Sequence, residues 1–407
     1  MTDLKLISLE DINQAQKRIA PYIRNTPSVP FDYLNRKLNK EIILKCEIFQ
    51  KTGSFKFRGA ANCVLAQMAQ AKKAGVVAAS AGNHAQGVAS ICYTLGIPAT
   101  IVMPIATPGI KVQNTQNWGA TVELVGNFYD ESYEHAMKLC KERGSLFIHP
   151  FKDPLVQAGQ GTLGLELLGE PLNKDTQAVI ISVGGGGLIT GIGTVLRALN
   201  PKIKIYGVTA QSAPAAFKAV KENHPTEEPV DFTLAEGVAT KRTEQVMLEN
   251  ISRNVDDIFS LSEESIAHAI SVLAEHGKMV VEGAGALPIA AMLEGLVPEK
   301  KVTAVLCGGN IDLPALSAVF RRGLVEQGRL VRLNITIWDR PGALHGITQV
   351  FAEKRANVLE IHHQRGALHH KMGQAAIEAE IETRGEEHTG EIINALTSRG
   401  FHVERNS

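Results

Sequence analysis

AVIISVGGGGLITGIGTVLRAL, residues 178–199, decides the fold. Its first residues are apolar at consecutive positions, as a strand must be when a sheet is covered on both faces. Four glycines, 184–187, then lead into a stretch whose apolar residues recur at helical spacing. Strand, bare turn and helix make one β-α unit. The free N–H groups and positive dipole end of such a helix bind phosphate, and glycine puts no side chain in the way. Gly185, Gly187 and Gly191 nearly spell a dinucleotide fingerprint. That fingerprint expects a carboxylate about 20 residues on, at the end of the next strand. The sequence there reads Val208, Thr209, Ala210, Gln211, so a phosphate without a ribose fits better. A glycine run present only for close packing would look the same at this point.

Working outward, residues 40–315 repeat the same rhythm. EIILKCE, GVVAAS, ATIVMP, TVELVG, KIYGVTA and VTAVLCGGN each precede a turn and a helical stretch, which predicts an α/β fold with parallel sheets. Ligands of such sheets bind at the carboxyl ends of the strands, where SAGNH, SVGGGG and CGGN would converge. Beyond a helix at about Leu313 to Gln327 the texture changes to strand, helix, strand, strand, helix, strand, a ferredoxin-like α+β order. The expected boundary lies near Arg321 to Arg329.

The chain has 407 residues, 42 basic and 42 acidic side chains and 44% hydrophobic residues, an ordinary globular composition sized for two or three domains. Zero formal charge gives no basic excess to draw nucleic acid or an anionic membrane. Small molecules and further subunits are the expected partners. The five cysteines form no CxxC pair and read as reduced thiols. MTDLKLISLEDINQAQ has no signal-peptide pattern and no long apolar run suggests a membrane span, so the expected location is the cytoplasm.

Two more segments carry chemistry. In KTGSFKFRGA (51–60), Phe55 and Phe57 flank Lys56; desolvation there would lower its pKa and leave an amine able to form a Schiff base or accept a proton. Taken alone, with Arg58 beside it, the same lysine reads sooner as half of a solvated surface basic pair. In ASAGNHAQGVA (79–89), Ser80 is a candidate N-cap, with Asn83 and His84 at the helix start. Hydroxyl, amide and backbone N–H groups there suit a carboxylate, and ordinary capping would use the same residues.

Together the three motifs resemble the threonine/serine dehydratase family of fold type II pyridoxal-phosphate enzymes. AGQGT (158–162), AEGVA (235–239), EGAGA (282–286) and CGGNID (307–312) follow in family order. The resemblance implies a catalytic domain over 1–325, built of two parallel-sheet subdomains with the smaller, about 50–150, inserted. It implies pyridoxal 5'-phosphate held covalently by Lys56, with Asn83 on the ring's 3'-oxygen and Gly184, Gly185, Gly186 and Gly187 on the phosphate. Phe55 and Gly237 would lie against the two ring faces, Cys307 near the ring nitrogen, and Ser80, Asn83 and His84 on the substrate carboxylate. A thiol near the nitrogen, in place of a carboxylate, leaves the ring a weaker electron sink, which suits elimination.

The implied reaction is loss of water and then ammonia from L-threonine, giving 2-oxobutyrate, or from L-serine, giving pyruvate. Lys56 takes the α-proton and the cofactor phosphate assists the leaving hydroxyl. Hydroxyaspartate ammonia-lyase, threonine synthase, β-replacement enzymes and a catalytically silent amino-acid sensor are the competing readings. Racemases of the family carry serine where this sequence has Ala81, so little racemisation is expected. Metal-binding members carry acidic residues where Thr209 and Ala215 stand, so no metal is expected.

The segment 330–407 resembles an ACT domain, a ferredoxin-like module that binds amino acids between subunits. DRPGAL (339–344) is its recognisable turn. Asp339, Pro341, Gly342, Leu344 and Asn357 are the implied effector residues, and a homodimer or homotetramer the implied assembly. Feedback on isoleucine biosynthesis would suit such a module, and a pairing domain that binds nothing remains the other reading. The histidines 362, 363, 369 and 370 read as a solvated hairpin, because adjacent strand residues point to opposite faces.

Overall fold

Six strands, the central ones apolar runs, assemble the principal sheet. In this computed structural model, which describes residues 6–365 and 371–406, its strand order is Ser28–Pro30, Glu41–Cys46, Lys301–Leu306, Ala178–Ser182, Lys204–Ala210, Asp257–Leu261. Only the first pair is antiparallel. Ala178–Ser182 is buried at every residue, as a central strand covered on both faces requires. A second, all-parallel sheet runs Thr121–Leu124, Ala99–Met103, Val76–Ala79, Leu146–Phe147. Its core joins Val76, Ala78, Ile101 and Met103 to Phe57, Val64, Val88 and Ile91 from the helices Lys56–Ala66 and Asn83–Leu95. Both helices that carry candidate site residues at their starts are thus fixed by the smaller sheet.

All seven expected strands of the α/β part are present. Ser28–Pro30, Leu146–Phe147, the pair Thr226–Glu227 and Arg242–Thr243, and Asp257–Leu261 were not expected; the first four have no more than three residues, and the last opens on a charge at a sheet edge. Short edge strands carry little of the apolar signal that marks central ones.

The chain divides into two compact units, 1–312 and 313–407. Helix Leu313–Glu326 therefore groups with the C-terminal unit, whereas the sequence placed the boundary near Arg321 to Arg329, over the end of this helix. Arg321 on this helix pairs with Glu380, which also accepts from Arg332 on the first strand of that unit. The C-terminal sheet is antiparallel, in the order Asn357–Arg365, Gln374–Glu382, Leu330–Trp338, His402–Asn406. Helices Ala343–Glu353 and Glu386–Ser398 complete the ferredoxin-like arrangement. Ile335, Ile337, Ile347, Phe351, Ile377 and Ile392 lie in its core. Among the described residues, no helix is long and apolar enough to cross a membrane.

Candidate active site

The tetraglycine run lies between the end of strand Ala178–Ser182 and helix Gly187–Leu199, with Gly186 as N-cap at φ +86°. The N–H groups of the first turn have no acceptor within the helix. A Cβ on Gly184 would stand 2.8 Å from the Val238 backbone, one on Gly185 2.4 Å from the Phe151 ring and one on Gly187 3.1 Å from Phe151 Cβ. Close packing and an anion-binding helix start therefore coincide.

Lys56 opens its helix immediately after a segment sewn to the far end of the unit. Gly309 N–H donates to Gly53 at 2.9 Å, Phe55 N–H donates to Cys307 at 3.0 Å, and Ser54 bridges Gly308. The Lys56 amine donates to the Pro150 carbonyl at 3.0 Å and lies 5.2 Å from the centre of the Phe55 ring. Loss of hydration lowers its pKa to about 8, against the opposing pull of Cys307 and Glu282. Arg58 is no surface partner: it is fully buried and bound to Glu47 and Glu166.

Ser80 is not the N-cap of the next helix. It follows strand Val76–Ala79, and its hydroxyl accepts from Gly82 N–H at 3.2 Å in a local turn, so the helix begins at Asn83 with Gly82 as cap. Asn83 Nδ2 donates to Glu282 Oε1 at 2.8 Å, and Asn83 Oδ1 accepts from Asn310 Nδ2 at 2.7 Å. His84 is buried; its Nε2 lies 2.9 Å from the Ile148 carbonyl, which assigns the proton to Nε2, and its Nδ1 has no partner. Burial, with the Lys56 charge, lowers its pKa to about 3, so the ring is neutral. Burial likewise raises the Cys307 thiol far above its ordinary range and keeps it protonated, beside Ser182.

Gly237 adjoins the same cluster, since a Cβ there would stand 3.0 Å from Ala284 Cβ and 3.6 Å from Glu282 Oε1. Lys56, Asn83, Cys307 and Gly237 are thus gathered around Glu282, while Ser80 bonds within its own turn. Glu282 and Asn310, both inside quoted motifs, are residues whose part the sequence did not disclose. The carboxyl of Glu282 is raised to about 7, first by burial. At the rim, Lys111 on helix Gly109–Gln116 pairs with Glu236 and approaches Asp312 to 3.5 Å.

These residues suit a cofactor bearing a carbonyl and a phosphate: an amine of lowered pKa, a glycine cradle closed to any Cβ, and amide donors beside them. Thr52 Oγ1, Ser54 Oγ and His84 Nδ1 are also buried without partners on the segments around Lys56. Such atoms each cost about 1–3 kcal/mol until a polar group meets them. Among the described residues no cluster of three His, Cys, Asp or Glu could hold a metal ion, and Thr209 and Ala215 are buried.

The effector residues named from the sequence lie in the C-terminal unit. Asp339 pairs with Arg365 at 3.0 Å and lies 3.9 Å from His363. Gly342, at φ +86°, is the N-cap of Ala343–Glu353, so Pro341 stands before the cap and not within the first turn. Leu344 packs on the core, and Asn357 donates to Glu382 at 2.8 Å. His362 is exposed; His369 and His370 lie outside the described residues.

An L-threonine ammonia-lyase of Thermotoga maritima is 43% identical over 98% of this chain and 99% of its own length. The crystal structure of a threonine deaminase from T.th. superimposes with a TM-score of 0.71 at 40% identity, over 75% of this chain and 99% of that one. Maize serine racemase gives a TM-score of 0.73 at 31% identity, over 79% and 99%. The family profile described as pyridoxal-phosphate dependent enzyme matches residues 19–308, a span that holds Lys56, Asn83, the tetraglycine run and Cys307. The chain belongs to the family of pyridoxal-phosphate-dependent enzymes.

Proposed function

We propose that the protein is a threonine ammonia-lyase that converts L-threonine to 2-oxobutyrate and ammonia, and L-serine to pyruvate and ammonia. The observation that carries this is the amine of Lys56, of lowered pKa and within the field of Glu282, which holds the amide of Asn83, on a segment tied through Phe55 to Cys307, in a chain alike throughout its length to an L-threonine ammonia-lyase. Pyridoxal phosphate, when bound, withdraws electrons from the substrate Cα so that its proton can leave. Lys56 holds the cofactor and takes that proton; with a pKa near 8, much of the amine is neutral close to physiological pH. Gly184 to Gly187 bind the phosphate through backbone N–H groups. Asn83 holds the ring oxygen, and Phe55 and Gly237 flank the ring. Cys307, held neutral, offers the ring nitrogen no charge, which favours early departure of the β-hydroxyl. Ser80, Asn83 and the first N–H groups at His84 receive the substrate carboxylate.

Within this reading the catalytic domain is the α/β part, with the smaller parallel sheet as its inserted subdomain. The C-terminal unit is an ACT domain that senses an amino acid through the turn Asp339–Leu344 and Asn357. Its βαββαβ order and the left-handed Gly342 support that role. The enzyme would work in the cytoplasm, its five cysteines free, as a homodimer or homotetramer. The deciding experiment measures 2-oxo acid formed from L-threonine by purified protein with pyridoxal phosphate. Formation at only the rate of the protein-free cofactor control would refute the reading.

A further inference from the structure

We propose that Glu282 and Asn310 are positioning residues that clamp the side-chain amide of Asn83 in one orientation, leaving one of its N–H groups for the cofactor. The proposal rests on the reading of Asn83 as the residue that holds the cofactor ring oxygen. A lone asparagine amide can turn over and exchange its oxygen and nitrogen, so a site that needs a donor must prevent the turn. Here the direction is set from outside. The Thr52 carbonyl can only accept and takes one hydrogen of Asn310 Nδ2 at 2.8 Å. The other reaches Asn83 Oδ1 at 2.7 Å, which leaves Asn83 Nδ2 to donate to Glu282 Oε1 at 2.8 Å. Donation therefore runs one way, from Asn310 through Asn83 to Glu282. Reversing Asn83 would set its oxygen against an ionised carboxylate and its nitrogen against a donor. Of the two hydrogens on Asn83 Nδ2, Glu282 takes one and the second stays available.

The frame around the clamp is equally constrained. Glu282 N–H donates to the Gly308 carbonyl at 3.2 Å. A Cβ on Gly308 would stand 2.3 Å from Glu282 Oε1 and 3.2 Å from Asn83 Nδ2, so bare backbone is what admits both side chains. The charged or titratable groups that act on Glu282 are Glu236 on Glu236–Val238, Lys111 on Gly109–Gln116 and Lys56 on its own helix. The protonated Cys307 also lies within the field of Glu282. With its carboxyl raised to about 7, Glu282 can only accept, and not donate, above that pH. Below it, the acid O–H can itself donate to Asn83 and the constraint on the amide relaxes.

The test is titration of cofactor-free protein with pyridoxal phosphate from pH 6 to 8.5, reading Kd and the visible band of the bound cofactor, with thermal unfolding to confirm that each variant is folded. Wild-type affinity is expected to rise through about pH 7. Asn310→Asp, nearly isosteric, faces two acceptors with acceptors and should weaken binding about tenfold or more, as should Glu282→Ala. Glu282→Gln restores an acceptor, so it should weaken binding less than Glu282→Ala and abolish the pH step. A purely structural role would move Kd equally at every pH. Wild-type Kd and band in both Asn310→Asp and Glu282→Ala, or a step at about pH 7 that persists in Glu282→Gln apart from the rise through about 8 set by Lys56, would overturn the clamp while leaving the enzyme reading intact. Failure of the wild type to bind the cofactor would overturn both.

Discussion

A methyl group on Gly185 would fall 2.4 Å from the Phe151 ring, and the ring must move for any side chain to enter. Gly185→Ala is therefore expected to cost about 1–3 kcal/mol of stability by overpacking, read by urea unfolding, and to weaken cofactor binding, with Phe151→Leu in the same chain recovering part of the affinity. Fluorescence titration with pyridoxal phosphate checks both affinities. Lys56→Ala should leave no 2-oxo acid formation above the protein-free control, measured with L-threonine. Because the amine must be neutral to attack a carbonyl, cofactor capture by the free protein should accelerate as pH rises through about 8. Stopped-flow absorbance measures it.

His84 predicts a trend in stability. Its folded pKa, about 3, lies below the ordinary 6.5, so between those values the unfolded chain binds the extra proton. Its contribution is intact above 6.5 and falls by up to about 1.4 kcal/mol per pH unit below it, visible as a drop in Tm that His84→Asn should diminish. At this scale Lys56 and the glycines stood out because a lysine between two phenylalanines and a run of four glycines are patterns in adjacent residues, although Pro150, Phe151 and Val238, which they meet in space, are distant in sequence. Glu282 was not, because it meets Asn83 across 199 residues. A carboxylate in a run of Gly and Ala was the only hint of it.

The helix that begins at Lys56 is held by charge as well as by packing. Arg58 sits between Glu47, on the turn after strand Glu41–Cys46, and Glu166 on helix Pro154–Gly169; Lys45 joins Glu166 at 3.0 Å. Arg58→Ala would leave Glu47 buried without its cation, and about 3–5 kcal/mol of stability should be lost, as read by urea unfolding. Nothing near Arg58 in sequence announces two charged partners, so periodicity found the helix and missed what holds it. Central strands were legible from apolar runs buried on both faces. The edge strand Asp257–Leu261, buried at only two of its five residues, lacked that mark.

At the scale of the whole molecule, the sequence disclosed an α/β part and a ferredoxin-like part through a change of rhythm. It could not assign helix Leu313–Glu326, whose grouping depends on contacts such as Arg321 with Glu380. If the C-terminal unit senses an amino acid, calorimetric titration of the full chain with isoleucine, valine, serine or threonine should give saturating heat. Gly342→Val, forcing a β-branched residue to φ +86°, should remove it. No heat with any of the four would favour a unit that only pairs subunits. The principal sheet has one more consequence. Strand Glu41–Cys46 lies between Ser28–Pro30 and Lys301–Leu306, and the Lys56 loop takes its shape from Cys307 to Asn310. A nascent chain still lacking residue 310 holds its lysine and its phosphate cradle but not the floor that joins them. Cofactor capture must therefore wait until most of the chain has left the ribosome.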